Sequence, residues 1–342
     1  MLKISCDRID ELFAAISAKQ KLFFPQDRAD GEAEFAPYHE GAKLSEKLKT
    51  VKSAKDFFFP QTETLVNFKV EGKKIEIEDP RRETEDFVLF GVRACDARSF
   101  ELLDMVFLYN PEDSYYKNRR EHGTIVTLAC TRPSETCFCK TFGIDPTDPK
   151  GDVSCYIENG ELFLSENTEK GKALLESVKE LLCEADPTPV EEQKKRTNEI
   201  MKKLPLASVD TTGFNGKNMM KKFNSDKWAE MSRTCLGCGT CTFVCPTCQC
   251  YDIKDFDTGH GIMRFRCWDS CMYSDFTKMS AGQPRLTQLE RFRQRFMHKL
   301  VYFPMNNNGS YSCVGCGRCL ERCPESLNIV KVIKAIGGEE NE

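Results

Sequence analysis

Histidine is scarce in this 342-residue chain, four in all, and tryptophan occurs twice. No nucleophile–base constellation is visible, so acid–base or covalent chemistry has no apparatus that the sequence shows. A G-x-G-x-x-G strand-to-helix fingerprint is missing, as is a G-x4-G-K-[ST] loop, which leaves no nucleotide or flavin pocket of the chain's own. No apolar run approaches the roughly 20 residues of a membrane span, so any membrane link has to come through a partner. The net charge of -4, without a dominant basic patch, gives no support for nucleic-acid binding. The chain starts directly with an amphipathic pattern at Ile9, Leu12, Phe13 and Ile16 rather than a signal peptide, and its 19 cysteines are an odd number. Both features argue against a secreted disulfide framework and predict a reducing, cytoplasmic setting.

What the chain has in excess is cysteine in order. Cys235, Cys238, Cys241 and Cys245-Pro246 repeat as Cys313, Cys316, Cys319 and Cys323-Pro324, each a C-x2-C-x2-C-x3-C-P run. This is the spacing of bacterial ferredoxins, in which three thiolates on a tight loop hold one cube and the Cys before Pro serves the other. It predicts two [4Fe–4S] clusters with crossed ligands: Cys235, Cys238, Cys241 and Cys323 for one, Cys313, Cys316, Cys319 and Cys245 for its partner. Thiolates in fours also suit zinc, although zinc sites usually pair two C-x2-C knuckles and have no use for the trailing Pro.

Another group lies in the first half: Cys95 in Gly91-Val92-Arg93-Ala94-Cys95-Asp96, and Cys130, Cys137 and Cys139 within ten residues. Residues 86–92 and 124–129 are compact apolar runs that read as buried strands. If they are parallel neighbours, their carboxyl ends bring Cys95 and Cys130 to one sheet edge, where ligand sites in open α/β sheets form. A third [4Fe–4S] cluster is the expectation here; zinc or reduced structural thiols are the alternatives. Asp96 is a further ligand candidate whose default role is to cap the helix beginning there. Cys248, Cys250 and Cys271 do not complete a site, and either borrow a ligand for another metal or pack as thiols. Cys6, Cys155, Cys183 and Cys267 stand alone, as buried cysteines often do. A basic helix carries Arg285, Arg291, Arg293, Arg295, His298 and Lys299. A solvated face is its default reading; meeting an acidic partner or raising a cluster's potential are the others.

The pattern along the chain predicts an α+β protein, with a mixed α/β domain at 1–205 and an all-helical, ferredoxin-like dicluster domain at 206–342. In the first part, 64–70 and 75–78 alternate around Glu71-Gly72 as a hairpin, and 156–163 signals another. Residues 171–203 read as charged helix with a break at Pro187 and Pro189. Residues 206–218, poor in apolar side chains, mark the boundary before a helix over 219–232. A further helix is predicted over 287–301. A compact β-hairpin ferredoxin with an insertion is the rival reading of the second part.

Several stretches together carry a more specific likeness. Cys245-Pro246-Thr247-Cys248-Gln249-Cys250-Tyr251, Arg266-Cys267-Trp268-Asp269-Ser270-Cys271, Gly91-Val92-Arg93-Ala94-Cys95-Asp96, Cys137-Phe138-Cys139, Phe57-Phe58-Phe59-Pro60 and Gln294-Arg295-Phe296-Met297-His298-Lys299 span nearly the whole chain. In these the chain resembles the beta subunit of cytoplasmic [NiFe] sulfhydrogenases and the A subunit of anaerobic sulfite reductase. The resemblance implies a non-catalytic subunit that passes single electrons between a flavin-containing NAD(P)H-oxidoreductase subunit and a separate catalytic subunit. It does not choose among hydrogenase, sulfite reductase and transhydrogenase as the terminal chemistry. The alternative reading is a stand-alone enzyme that reduces a small substrate at an open cluster site.

Overall fold

In the computed structural model, which describes residues 1–214 and 219–337, the first half is built on an eight-stranded sheet. Its strands are β1 (Leu2–Ser5), β2 (Lys21–Asp27), β3 (Ala33–Pro37), β6 (Phe87–Val92), β7 (Gly123–Leu128), β8 (Val153–Glu158), β9 (Glu161–Glu166) and β10 (Cys183–Glu184), in the order β10-β1-β9-β8-β7-β6-β2-β3. The central run β2-β6-β7-β8 is parallel, and the two flanks pair antiparallel. Every residue of β6 and β7 is buried, as expected of parallel strands covered on both faces.

The period of two along β6 divides the core. Val88 and Phe90 join Leu12, Phe13 and Phe24 under the helix Ile9–Ser17. Phe87 and Leu89 join Phe58, Phe100 and Leu103 on the opposite face, under the helix Ala94–Phe107. Each such side chain contributes about 1.5–3 kcal/mol when fully buried. A bulge between Phe90 and Val92, with Gly91 at φ +83°, ends β6 and aims the chain into Arg93-Ala94-Cys95. The predicted parallel pairing of the strands before Cys95 and Cys130 is therefore present.

A second, antiparallel sheet corrects the expectation of an all-helical second part. The predicted hairpin is β4 (Thr62–Glu71) with β5 (Lys74–Glu78). Between the two cysteine runs lie β11 (Tyr251–Asp257) and β12 (Gly261–Trp268), and β12 pairs with β4 to give the order β11-β12-β4-β5. All seven residues of β11 are exposed. Its strand state is imposed by backbone pairing rather than by a buried face, so no apolar alternation announced it. The two predicted parts thus share one sheet.

The remaining core gathers Trp228, Phe292, Phe296, Leu300, Val330 and Ile333, with Phe138 reaching in from the first half. The helix predicted over 219–232 is two short pieces, Met219–Phe223 and Lys227–Ser232. That predicted over 287–301 starts with a capping box of Thr287 and Glu290, runs as Gln288–Met297 and widens into a π turn at His298–Tyr302. The expected boundary at 206–218 lies partly on residues 215–218, outside the described residues. Among the described residues no helix is long and apolar enough to cross a membrane.

Charge fastens the second sheet to the first. Glu63 on β4 accepts hydrogen bonds from Arg266 Nε on β12 at 2.6 Å and from Arg119 Nε at 2.7 Å, and Arg266 also pairs with Asp113. Arg266 and Glu63 are both buried, so removing Arg266 deprives Asp113 of this ion pair and leaves Glu63 to Arg119 alone. Arg266→Met is expected to lower stability by about 3–5 kcal/mol, read as an earlier unfolding transition in anoxic denaturant titration.

Candidate metal centres

Each cysteine run repeats its backbone as well as its letters. Gly237 and Gly239 in the first, and Gly315 and Gly317 in the second, all have positive φ. Each run ends in a short helix, Thr240–Phe243 or Arg318–Glu321, that begins after a left-handed glycine. A Cβ on Gly239 would lie 2.6 Å from the Tyr273 hydroxyl. One on Gly315 would lie 2.5 Å from the Phe138 carbonyl, and one on Gly317 would lie 2.5 Å from the Thr136 carbonyl. These glycines allow the first loop to seat on the Tyr273 ring and the second directly on neighbouring backbone, which side chains at those positions would prevent.

Folded in this way, the chain gathers the predicted residues into three cavities. The first is lined by Cys235, Cys238, Cys241 and Cys323, together with Met272, Phe292 and Arg295. Gln288 Nε2 donates to the Cys235 sulfur at 3.2 Å, and the Leu327 backbone N–H donates to the Cys323 sulfur at 3.2 Å. Cys238 is exposed, and the Thr240 hydroxyl and backbone N–H hold its thiol below the usual range. The second cavity is lined by Cys245, Cys313, Cys316 and Cys319, with Arg295 and Lys299. Cys323 thus stands with the first run and Cys245 with the second. Burial pushes the Cys319 thiol up to about 12 and raises Cys313 and Cys316 as well.

The third cavity is lined by Cys95, Cys130, Cys137 and Cys139. Its loop is held by the Cys130 N–H to the Pro146 carbonyl at 2.9 Å and by the Phe138 N–H to the Gly315 carbonyl at 3.0 Å. Burial raises the thiols of Cys95, Cys130 and Cys139, the last to about 12. Gly315 and Cys316 line this cavity as well as the second, and Arg295 lines both the second and the first. The three therefore stand in a row with shared walls. Asp96 does not line the third cavity. It is buried in a bidentate pair with Arg318, at 2.6 and 2.7 Å, which ties the start of the helix Ala94–Phe107 to the second cysteine run.

The trio outside the runs resolves into pairs. Cys248 lies against Cys245, and Cys250 against Cys271 at the base of the β11–β12 hairpin, where the Asp269 N–H donates to the Cys250 carbonyl. Among the described residues, no three His, Cys, Asp or Glu side chains converge at the spacing a single metal ion takes. Cys155 is core, Cys183 is exposed, and Cys6 and Cys267 are half-buried. Trp268 is buried in the core.

The default reading of the basic helix is corrected at two positions. Arg295 and Lys299 are buried among the cysteines, while Arg291 and Arg293 are spent on backbone carbonyls and on the Phe223 ring. Lys55, which the sequence reading passed over, is also buried: its ammonium lies 3.6 Å from the Trp268 ring centre and donates to the Cys248 carbonyl. Burial lowers it to about 8. Lys49 donates to the Cys316 carbonyl at 2.9 Å, and Arg93 to the Ala129 carbonyl at 2.9 Å. The missed functional feature is thus a set of cations around the thiols.

Thiol quartets, largely shielded from solvent apart from Cys238 and accompanied by cations and by N–H donors to sulfur, fit the ligand chemistry of iron–sulfur clusters, and they place this chain among iron–sulfur proteins of electron transport. A family described as 4Fe-4S dicluster domain matches residues 234–327, the span of both runs and the hairpin between them. The chain is also 32% identical over 294 residues to the sulfhydrogenase 2 subunit beta of Pyrococcus furiosus, covering 84% of each. No solved structure matches the chain. The chain belongs to the sulfhydrogenase beta-subunit family.

The contact of Gly315 with the third cavity's loop can be tested without metal. Gly315→Ala places a methyl group against the Phe138 backbone at a φ of +58°, and is expected to spread the two loops apart. The variant should unfold at lower temperature and label faster with maleimide at Cys137 and Cys139 under anoxic, chelated conditions.

Proposed function

We propose that the chain relays single electrons between a flavin-containing NAD(P)H-oxidoreductase subunit and a separate catalytic subunit of a cytoplasmic, multi-subunit oxidoreductase. Three [4Fe–4S] clusters serve the relay: Cys235, Cys238, Cys241 and Cys323 hold one, Cys245, Cys313, Cys316 and Cys319 the second, and Cys95, Cys130, Cys137 and Cys139 the third. When bound, such clusters supply one-electron redox chemistry.

The observation that carries this reading is the sorting of twelve cysteines from distant segments into three quartets around three adjoining cavities. Quartets spread around cavities suit a cube. Four thiolates on one zinc, each about 2.3 Å from the metal, would draw together far more tightly. Shared walls suit a relay, since electron transfer weakens steeply with distance. Burial supports it too, because the protein's task is to exclude water and to set each potential through charge and hydrogen bonds. Beside Cys316 of the second quartet, the third cavity presents four thiols of its own rather than three, which leaves no exchangeable position for a substrate and favours the relay over a stand-alone reductase. Membership of a family that includes a sulfhydrogenase beta subunit supports placement in a complex whose substrate chemistry resides elsewhere.

Cys241→Ala tests the reading in the assembled complex. One cluster's electron-spin signal should vanish and NAD(P)H-driven turnover should stop, while dye-linked activity at the catalytic subunit persists. Unchanged coupled turnover would overturn the proposal.

A further inference from the structure

Arg295 is 2% exposed, in a helix whose other buried side chains are Phe292, Phe296 and Met297. A buried guanidinium is normally matched by a carboxylate, yet among the described residues none pairs with it. One of its nitrogens, Nη2, donates to the Cys241 carbonyl at 3.2 Å. Nε and Nη1 are buried and have no hydrogen-bond partner among the described residues. The groups acting on it electrostatically are sulfurs from both ferredoxin-type quartets, Cys241 from one and Cys319 and Cys245 from the other, with Cys248 beside them. It lines both cavities. Lys299, one helical turn on, lines the second cavity alone, and its ammonium is already engaged by the Thr247 hydroxyl at 2.9 Å and the Ser312 carbonyl at 3.0 Å.

We propose that Arg295 is a positioning residue common to the two ferredoxin-type sites, its fixed charge and the free N–H groups on two of its nitrogens raising the reduction potential of both together. The inference rests on the reading of both quartets as cluster ligands. The electrostatics are direct: reduction adds one electron and no proton to a site, Arg295 keeps its proton throughout, and a buried positive charge favours the more negative state. Because one charge acts on two neighbours, it lifts both in the same direction, so neither site is raised at the expense of the other. Two donors without partners in the apo arrangement are what a site built around sulfur-rich anions would hold ready. The alternative, an Arg retained only to fill space between helices, explains neither the missing carboxylate nor the pair of unused donors.

The test is a dithionite titration of the full chain, prepared anoxically with its clusters and followed by electron paramagnetic resonance. Arg295→Met should move both one-electron equilibria at least tenfold toward the oxidised form, about 59 mV each, and Arg295→Lys should recover most of the loss. Lys299→Met should move the Cys245-containing site alone. If Arg295→Met fails to retain iron, Arg295→Lys and Arg295→Gln carry the comparison. Lys near wild type with Gln lowered at both sites supports the proposal; equal potentials in the two overturn it. Unmoved potentials, or a shift at one site only, in Arg295→Met with intact clusters also overturn it. Wild-type protein lacking two cluster signals would instead remove the functional reading itself.

Discussion

Burial makes the thiolate the costly form of cysteine, and the rest of this architecture answers that constraint. Cys313, Cys316 and Cys319 in the second cavity and Cys95, Cys130 and Cys139 in the third are pushed upward by loss of water, so these six would not ionise readily alone, whereas Cys248, Lys299 and Thr247 hold Cys245 down. A metal cluster held there would take them as thiolates and supply the missing compensation, which would link cluster binding to stability. The cations supply the remainder. Arg295, Lys299, Lys55, Lys49 and Arg93 approach the cysteines from five separate positions, and Arg318 neutralises Asp96 beside them. The charged residues nearest the sites are therefore part of their construction.

The same constraint explains why the two parts of the chain are interleaved. A cluster site needs ligands held from several directions, and here the loop 130–139 rests on Gly315 and Gly317 of the second cysteine run. The pairing of β12 with β4 and the Arg318–Asp96 pair add two more fastenings. Each tie crosses between distant segments, so the third cavity has no complete wall without the second run. A row of sites with common walls is also the arrangement in which the environment of one centre is felt by the next.

Much of this was legible in the chain itself. The ferredoxin spacing specified two quartets including their crossing, because three residues per loop can reach one centre and the fourth must come from elsewhere. The third quartet followed from two apolar runs whose shared carboxyl edge places Cys95 and Cys130 together. The hairpin 251–268 was hidden for a physical reason: β11 reads Tyr-Asp-Ile-Lys-Asp-Phe-Asp and buries no face, so only its partner strand defines it. The role of Arg295 and Lys299 was masked by the prior that charge lies outside. Their spacing held the signal, since Phe292, Arg295, Phe296, Lys299 and Leu300 follow the three-and-four rhythm of one buried helical face. Lys55 had no such rhythm, in a helix of only four residues, and its contacts with Trp268 and the Cys248 carbonyl reveal it.

Under the proposed relay, three neighbouring cysteine quartets hold clusters close enough to act as one conductor. Its most direct test is the electron paramagnetic resonance spectrum of the complete chain, isolated anoxically and fully reduced, with iron quantified in the same sample. The account predicts about twelve irons per chain, four to each cube, and signals mutually broadened by magnetic interaction between adjacent centres. Iron-free protein, or a simple sum of isolated cluster signals, would contradict it.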